Sequence, residues 1–326
     1  MKIVITIFKH KSFKIVFRLL VTVSLLIYAF SKFSIAESIT VIKSANFSWF
    51  GVALLLNIIT VLLQGHKWFY INRYLGINIP YTRTQQLNWI SNFYGFFTPG
   101  KLGGDAYRFI SLNKTSTGKT ISFASTMIEK LSTLYAVFFL GALSAFYVGQ
   151  VYSDIEFSPL IYLFLVSIIG ILIVSLFYKQ IKVRLDKARP QNSLAKKVTG
   201  FLSIIFNNQN TFKTVLIVFV YSLFYQIVSS IIVYVCSISL SMQFSFFDIL
   251  LVFSISTLVT ALPISISGIG VRETIYVTLL GAMGGGSTSS LSLSVLVFLS
   301  GLFIVLIGGV MSLKKLDLKS DDEKVC

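Results

Sequence analysis

Six charged side chains stand where the sequence is otherwise apolar: Asp105, Arg108, Glu129, Lys130, Arg272 and Glu273 fall within or beside long hydrophobic stretches. A charge at the centre of a membrane helix costs roughly 2.5–3.5 kcal/mol on insertion scales, so such groups face a partner or a wet cavity. Their spacing repeats. Pro99, Gly104 and Arg108 recur as Pro263, Gly268 and Arg272, and each pair is offset by 164 residues. The first segment, from Thr98 to Arg108, also carries Gly103 and Asp105; the second, from Leu262 to Glu273, also carries Gly270. Proline removes a donor and glycine admits unusual backbone angles, so both segments are expected to be broken helices. Their freed N–H groups would form positive helix ends suited to phosphate or carboxylate. Arg108 and Arg272, just past the breaks, would add planar forks for phosphate oxygens. The competing reading is that the breaks only kink packed helices and the charges form an ion-pair network without a ligand.

The elements that must position these residues follow from composition. Of 326 residues 55% are hydrophobic and 12% charged, with a mean hydropathy of +0.82. A soluble domain carries about 25% charged residues, so a soluble globular protein is excluded. The net charge of +16, 28 basic residues against 12 acidic, belongs to membrane topology rather than to a nucleic-acid surface. Two cysteines, Cys236 and Cys326, and two histidines, His10 and His66, build neither a disulfide framework nor a metal cluster. No metal, no cofactor and no catalytic residue is expected.

A membrane helix needs about 20 apolar residues. Six runs qualify, at roughly 15–36, 48–72, 120–149, 158–178, 212–238 and 288–312. Two shorter stretches end in Pro and Gly, giving hairpins at about 84–112 and 246–283. The expected fold is therefore all-α: one polytopic integral membrane domain over residues 1–326, with six full spans and two re-entrant or broken hairpins. Three crossings separate the hairpins, and an odd number reverses the side from which each enters, so the pattern is that of an inverted repeat. In secondary transporters, paired Gly/Pro-interrupted segments at corresponding positions mark a midplane substrate site.

Basic residues near span ends set the orientation. With both termini inside, 24 of the 28 fall on the cytoplasmic side, including seven in the loop 179–199, while the 150–157 loop carries only Asp154 and Glu156. This count places Lys67, Lys101 and Arg108 among cytoplasmic charges, and it holds only if both hairpins return to the side they enter from. A multi-pass protein of the cell membrane is expected. Trp49, Trp68 and Trp89 suit an interfacial aromatic belt. Asn57, Gln64 and His66 are candidates to line the cavity, Gly301 and Gly308 to permit close helix packing, and Asp248 to lie at the interface.

The stretch Asn92 to Arg108, the later Glu129-Lys130-Leu131, and Pro263 through Arg272-Glu273 together resemble the lysylphosphatidylglycerol synthase transmembrane-domain family, also called flippase-like, over about residues 15–312. The resemblance implies a helical membrane domain that moves lipids between leaflets. Family members fused to a cytoplasmic aminoacyl transferase flip the aminoacyl lipid it makes, but residues 313–326 are too short to be that enzyme. Asp105 stands where the family often has Glu, and Lys130 where it often has Arg; both keep the charge.

The leading function is a translocase for a phosphate-containing lipid or glycolipid, with membrane lipids as its partners and no nucleic acid. Its substrate-binding residues would be Pro99, Gly103, Gly104, Asp105, Arg108, Glu129, Lys130, Pro263, Gly268, Gly270, Arg272 and Glu273. The alternatives are an intramembrane glycosyl or phosphoryl transferase, and a non-catalytic subunit in envelope lipid or polysaccharide synthesis. A second copy of the chain or a biosynthetic enzyme would then be the protein partner.

Overall fold

The structure, a computed structural model, describes residues 35–113, 118–152 and 211–313 together with positions 177, 180 and 183. The expected spans at 15–36 and 158–178, the loop 179–199 apart from those isolated positions, and the C-terminal tail after residue 313 lie outside the described residues. All regular elements among the described residues are helices: α1 (Ile35–Lys43), α2 (Phe47–Tyr74), α3 (Tyr81–Phe96), α4 (Leu102–Asn113), α5 (Lys119–Val151), α6 (Thr211–Ser239), α7 (Phe246–Ala261), α8 (Val271–Ala282) and α9 (Ser287–Leu313).

In lipid every backbone group must find an internal partner, which a helix supplies along its whole length. Four helices, α2, α5, α6 and α9, are long and apolar enough to cross a membrane. They match four of the six expected spans. Their outer faces present bare hydrocarbon: Leu55, Phe146, Phe224, Leu306 and Val310 are all exposed, Leu306 at 68%. A water-facing surface rarely carries so much contiguous apolar area. The chain is a polytopic helical membrane protein. The one element the sequence reading did not separate is α1, which lies in the expected external connection and packs on α9.

Helix ends are closed by local side chains. Asn46 accepts from the Ser48 N–H at the start of α2 (3.0 Å). Ser245 and Asp248 exchange bonds in a capping box that starts α7, where Asp248 is buried.

The 164-residue offset of the motif is also the offset of the fold. Adding 164 to α2 gives 211–238, to α3 245–260 and to α5 283–315, each within a few residues of α6, α7 and α9. The helix after the break shifts most, because the first break spans 97–101 and the second 262–270. Packing obeys the same exchange. α3 lies on α9 as α7 lies on α5, α4 touches α5 as α8 touches α9, and α2 packs on its own counterpart α6. An exchange that maps each contact to another and one contact to itself is a pseudo-twofold with α2 and α6 at its centre.

Small residues set the crossings that matter. A Cβ on Gly308 of α9 would collide with the Trp89 carbonyl of α3, and one on Gly141 of α5 would come within 3.0 Å of Ser254 on α7. Trp68 and Trp89 are buried, Trp68 completely, and of the three tryptophans Trp49 alone is exposed. Gly301 has no such neighbour and faces the interior cavity instead.

Candidate functional site

Both breaks fall where the sequence puts them, and their tips meet. An antiparallel bridge joins Pro99 to Ile266. A Cβ on Gly100 would lie 2.7 Å from the Ala261 carbonyl, so the first tip sits directly against the end of α7. Behind the tips lies a cavity of about 350 Å³. Its polar wall includes Asn57, Gln64, Asn92, Thr257 and Ser300, and its charged wall Lys101, Asp105, Arg108, Glu129, Lys130 and Arg272.

On the first side the charges and their partners are wired across five helices. Glu129 of α5 receives Lys67 of α2 at 3.0 Å on one oxygen and Arg108 of α4 at 2.8 Å on the other. All three nitrogens of Arg108 are used: Nε donates to Ser91 (2.9 Å), one terminal nitrogen to Glu129 and the other to Asn88. Lys67 donates to the Glu129 carbonyl, to Thr133 and to Ser222. Two rings cover the cations, Trp68 at 5.1 Å from Arg108 and Tyr225 at 5.8 Å from Lys67. The side chains of all three charged residues are at most 4% exposed. One carboxylate against two cations leaves a surplus positive charge, which the surrounding hydroxyls, amides and rings must solvate. A buried set like this is held by every member at once, and loss of one partner typically costs about 3–5 kcal/mol.

A second pair stands nearer the cavity. Lys130 Nζ meets Asp105 at 2.5 Å and the Gly100 carbonyl at 3.3 Å, so it pins the tip and the start of α4 together. These side chains keep 22% and 18% exposure and reach water that the triad does not. On the other side Arg272 donates to Glu273 (2.7 Å) and to Ser294 of α9 (3.1 Å), and lies 5.1 Å from the Phe298 ring.

One N–H at each break is satisfied locally: Thr98 Oγ1 accepts from Gly103 N–H at 2.7 Å, and Glu273 Oε2 accepts from Gly270 N–H at 2.6 Å. Arg108 places one donor of each of its three nitrogens on Ser91, Glu129 and Asn88, and its expected fork onto phosphate would use the N–H groups that remain. Of the twelve proposed site residues, Gly104, Asp105, Arg108, Glu129, Lys130, Gly268 and Arg272 line the cavity. Pro99, Gly103, Pro263, Gly270 and Glu273 do not; they shape the breaks and hold the lining residues. Gly104 does both, since a Cβ there would strike the Ser91 carbonyl and push α4 off α3. Gly268 sits at φ +74°, a conformation that excludes most side chains without strain.

Sequence reasoning missed Lys67, Asn88, Ser91 and Lys101 as site residues. The signal for Lys67 was present, since it lies inside the apolar run 48–72 yet was counted as a loop charge. With Lys67, Lys101 and Arg108 in the site, 21 of the 28 basic residues remain in the cytoplasmic count. Asn57 and Gln64 line the cavity as expected. His66 does not; it lies against Tyr221 at 3.2 Å.

The match to known sequences agrees with this architecture. Residues 15–309 match the model of the lysylphosphatidylglycerol synthase TM region. The chain belongs to that family. It is thereby a multi-pass membrane protein of a lipid-related family. No curated protein matches the chain.

Proposed function

We propose that the protein is a translocase that carries a phosphate-containing lipid between leaflets, with the head group held in the cavity between the two broken helices. One observation carries this reading. Four cations, Lys101, Arg108, Lys130 and Arg272, line the cavity with only two carboxylates, Asp105 and Glu129, so among the described residues the lining has an excess of two positive charges. In an otherwise apolar bundle such an excess needs an anion, and an intramembrane ionisable cluster is by default a substrate pathway. The family match and the pseudo-twofold support the reading, because alternating access works by moving one repeat against the other around a fixed central site.

In this reading the hairpins are re-entrant and enter from opposite faces, both termini are cytoplasmic, and the protein sits in the cell membrane. Cysteines placed at 150 and 285, in a chain lacking Cys236 and Cys326, should label from outside intact cells. Labelling of neither would reverse the orientation. The function itself is tested by reconstituting the full chain in vesicles and following lipids by leaflet-resolved quenching. Protein-dependent movement of an anionic phospholipid is the expected result. Movement no faster than in empty vesicles for any lipid would overturn it.

A further inference from the structure

Five cations surround the cavity or its wall, and three are committed. Lys67 and Arg108 are bound to Glu129 and its neighbours, and Lys130 is bound to Asp105 and the Gly100 carbonyl. Lys101 differs: its Nζ has no hydrogen bond or ion pair among the described residues, although it stands on the cavity wall at the tip of the first break. Arg272 uses Nε and one terminal nitrogen, which leaves its other terminal nitrogen free. Both residues also line an adjoining cavity of about 180 Å³.

The carboxylates tell the complementary story. Asp105 holds Lys130, Glu129 holds two cations, and Glu273 accepts from Arg272, Ser294 and the Gly270 N–H. Among the described residues no carboxylate in the lining is without a cation, so an incoming ammonium would meet surplus positive charge. Elsewhere the wall is neutral and polar: Asn57, Thr60, Gln64 and Asn92 are shared by the two cavities, and Asn57 and Asn92 already donate to Ser300 and Gln64. Amides and hydroxyls give and accept hydrogen bonds together, which matches a polyol. The adjoining cavity adds an apolar wall of Val61, Phe96, Phe298 and Ile304, suited to the first methylenes behind a phosphodiester.

Resting on the translocase reading, we infer that Lys101 and Arg272 are the phosphate-binding pair, and that the site takes lipids whose phosphate bears a neutral polyhydroxyl group while rejecting head groups that carry an ammonium. Selection of this kind works by leaving the wrong ligand's charge unpaired. Discrimination comes from the lining's charge balance, and Arg108 serves as scaffold for it.

The test uses the full chain in phosphatidylcholine vesicles with trace phosphatidylglycerol, phosphatidylinositol, phosphatidylethanolamine or lysyl-phosphatidylglycerol. The first two should move at least about tenfold faster than the last two. Lys101→Gln and Arg272→Gln should each slow phosphatidylglycerol about tenfold, and Lys101→Arg should retain most of it. Lys101→Glu should raise lysyl-phosphatidylglycerol transport while lowering that of phosphatidylglycerol. Thermal stabilisation in detergent by each lipid gives a readout independent of transport: phosphatidylglycerol should stabilise the native chain and not Lys101→Gln. Equal transport and equal stabilisation by phosphatidylglycerol and lysyl-phosphatidylglycerol would overturn the selectivity while leaving a translocase. Selective stabilisation without any movement would keep the binding site and sink the transport reading. Unchanged binding and transport in both Gln variants would remove Lys101 and Arg272 from the phosphate.

Discussion

At the first broken helix, three cations and two carboxylates of α2, α4 and α5 join in a triad and a pair; at the second, one arginine and the glutamate beside it share a single serine of α9. The scaffold does not explain the difference, because the helices correspond one to one. The positions do. Adding 164 to Lys67, Asn88, Ser91, Asp105 and Glu129 gives Ile231, Val252, Ile255, Ile269 and Leu293, all apolar. Five positions of the network in one half correspond to hydrocarbon in the other, while Arg108 corresponds to Arg272 and Lys130 to Ser294. A symmetric frame therefore carries an asymmetric site, with a rigid charged clamp facing a lightly held arginine. A ligand that needs an available cation finds it at the loose side and at the tip.

The comparison breaks most visibly at Glu129. Glu129→Gln leaves Lys67 and Arg108 buried without a carboxylate and should cost about 3–5 kcal/mol, read as a large fall in the thermal midpoint in detergent. Adding Lys67→Met should recover part of that loss. Glu273→Gln, the opposite member, should cost about 1.5–3 kcal/mol, the range of a hydrogen bond to a charged group, because Arg272 is 16% exposed and keeps Ser294. Equal losses would mean that the second side is as tightly built as the first.

Next come the glycines at the breaks. Gly104→Ala must move α4 away from the Ser91 carbonyl, an overpacking that costs about 1–3 kcal/mol. Gly268→Ala must hold an L-residue at positive φ with its Cβ 2.6 Å from Thr260 Cγ2, about 1–2 kcal/mol from the backbone alone. Chemical denaturation of the two variants side by side ranks close approach against backbone strain.

Arg108→Lys and Arg272→Lys sharpen the contrast. The first loses the fork that reaches Ser91, Glu129 and Asn88 together and should lose about 1–3 kcal/mol of stability. The second should change stability little and transport more. Asp105→Asn releases a pair that keeps about a fifth of its exposure, and should cost less stability than Glu129→Gln. A stability loss there as large as at Glu129 would show that pinning the first tip matters as much as the buried triad.

Much of this was legible from residue types alone. The breaks announce themselves through Pro99 and Pro263, the four described spans through their apolar length, and the repeat through one offset shared by three residues. The pairing of Glu129 and Lys130 with the first hairpin follows from the cost of stranding a charge in lipid. What was not legible is allocation. Which cation takes which acceptor depends on helix rotation, and a sequence does not show that Asn88 and Ser91 turn toward α4. Thr98 and Glu273 read equally well as ligand contacts and as caps until the distance to the local N–H is known. Lys67 misled because a lysine near the end of an apolar run has the same composition as a loop charge.

The meeting of Pro99 with Ile266 has a consequence for how this protein would behave in a mutational scan. The contact is main chain against main chain, and the neighbouring approach of Gly100 to Ala261 is to a carbonyl. Replacing side chains leaves such a junction almost untouched, so tolerance maps would report the residue at 266 as permissive even where the junction is indispensable. Only changes that alter the backbone itself, a proline at 267 or a bulkier residue at 100, would register. Pro99 has no N–H, so the bridge is made by the flanking amides, and amide-to-ester exchange at 267 or hydrogen exchange at the tips are measurements able to see it.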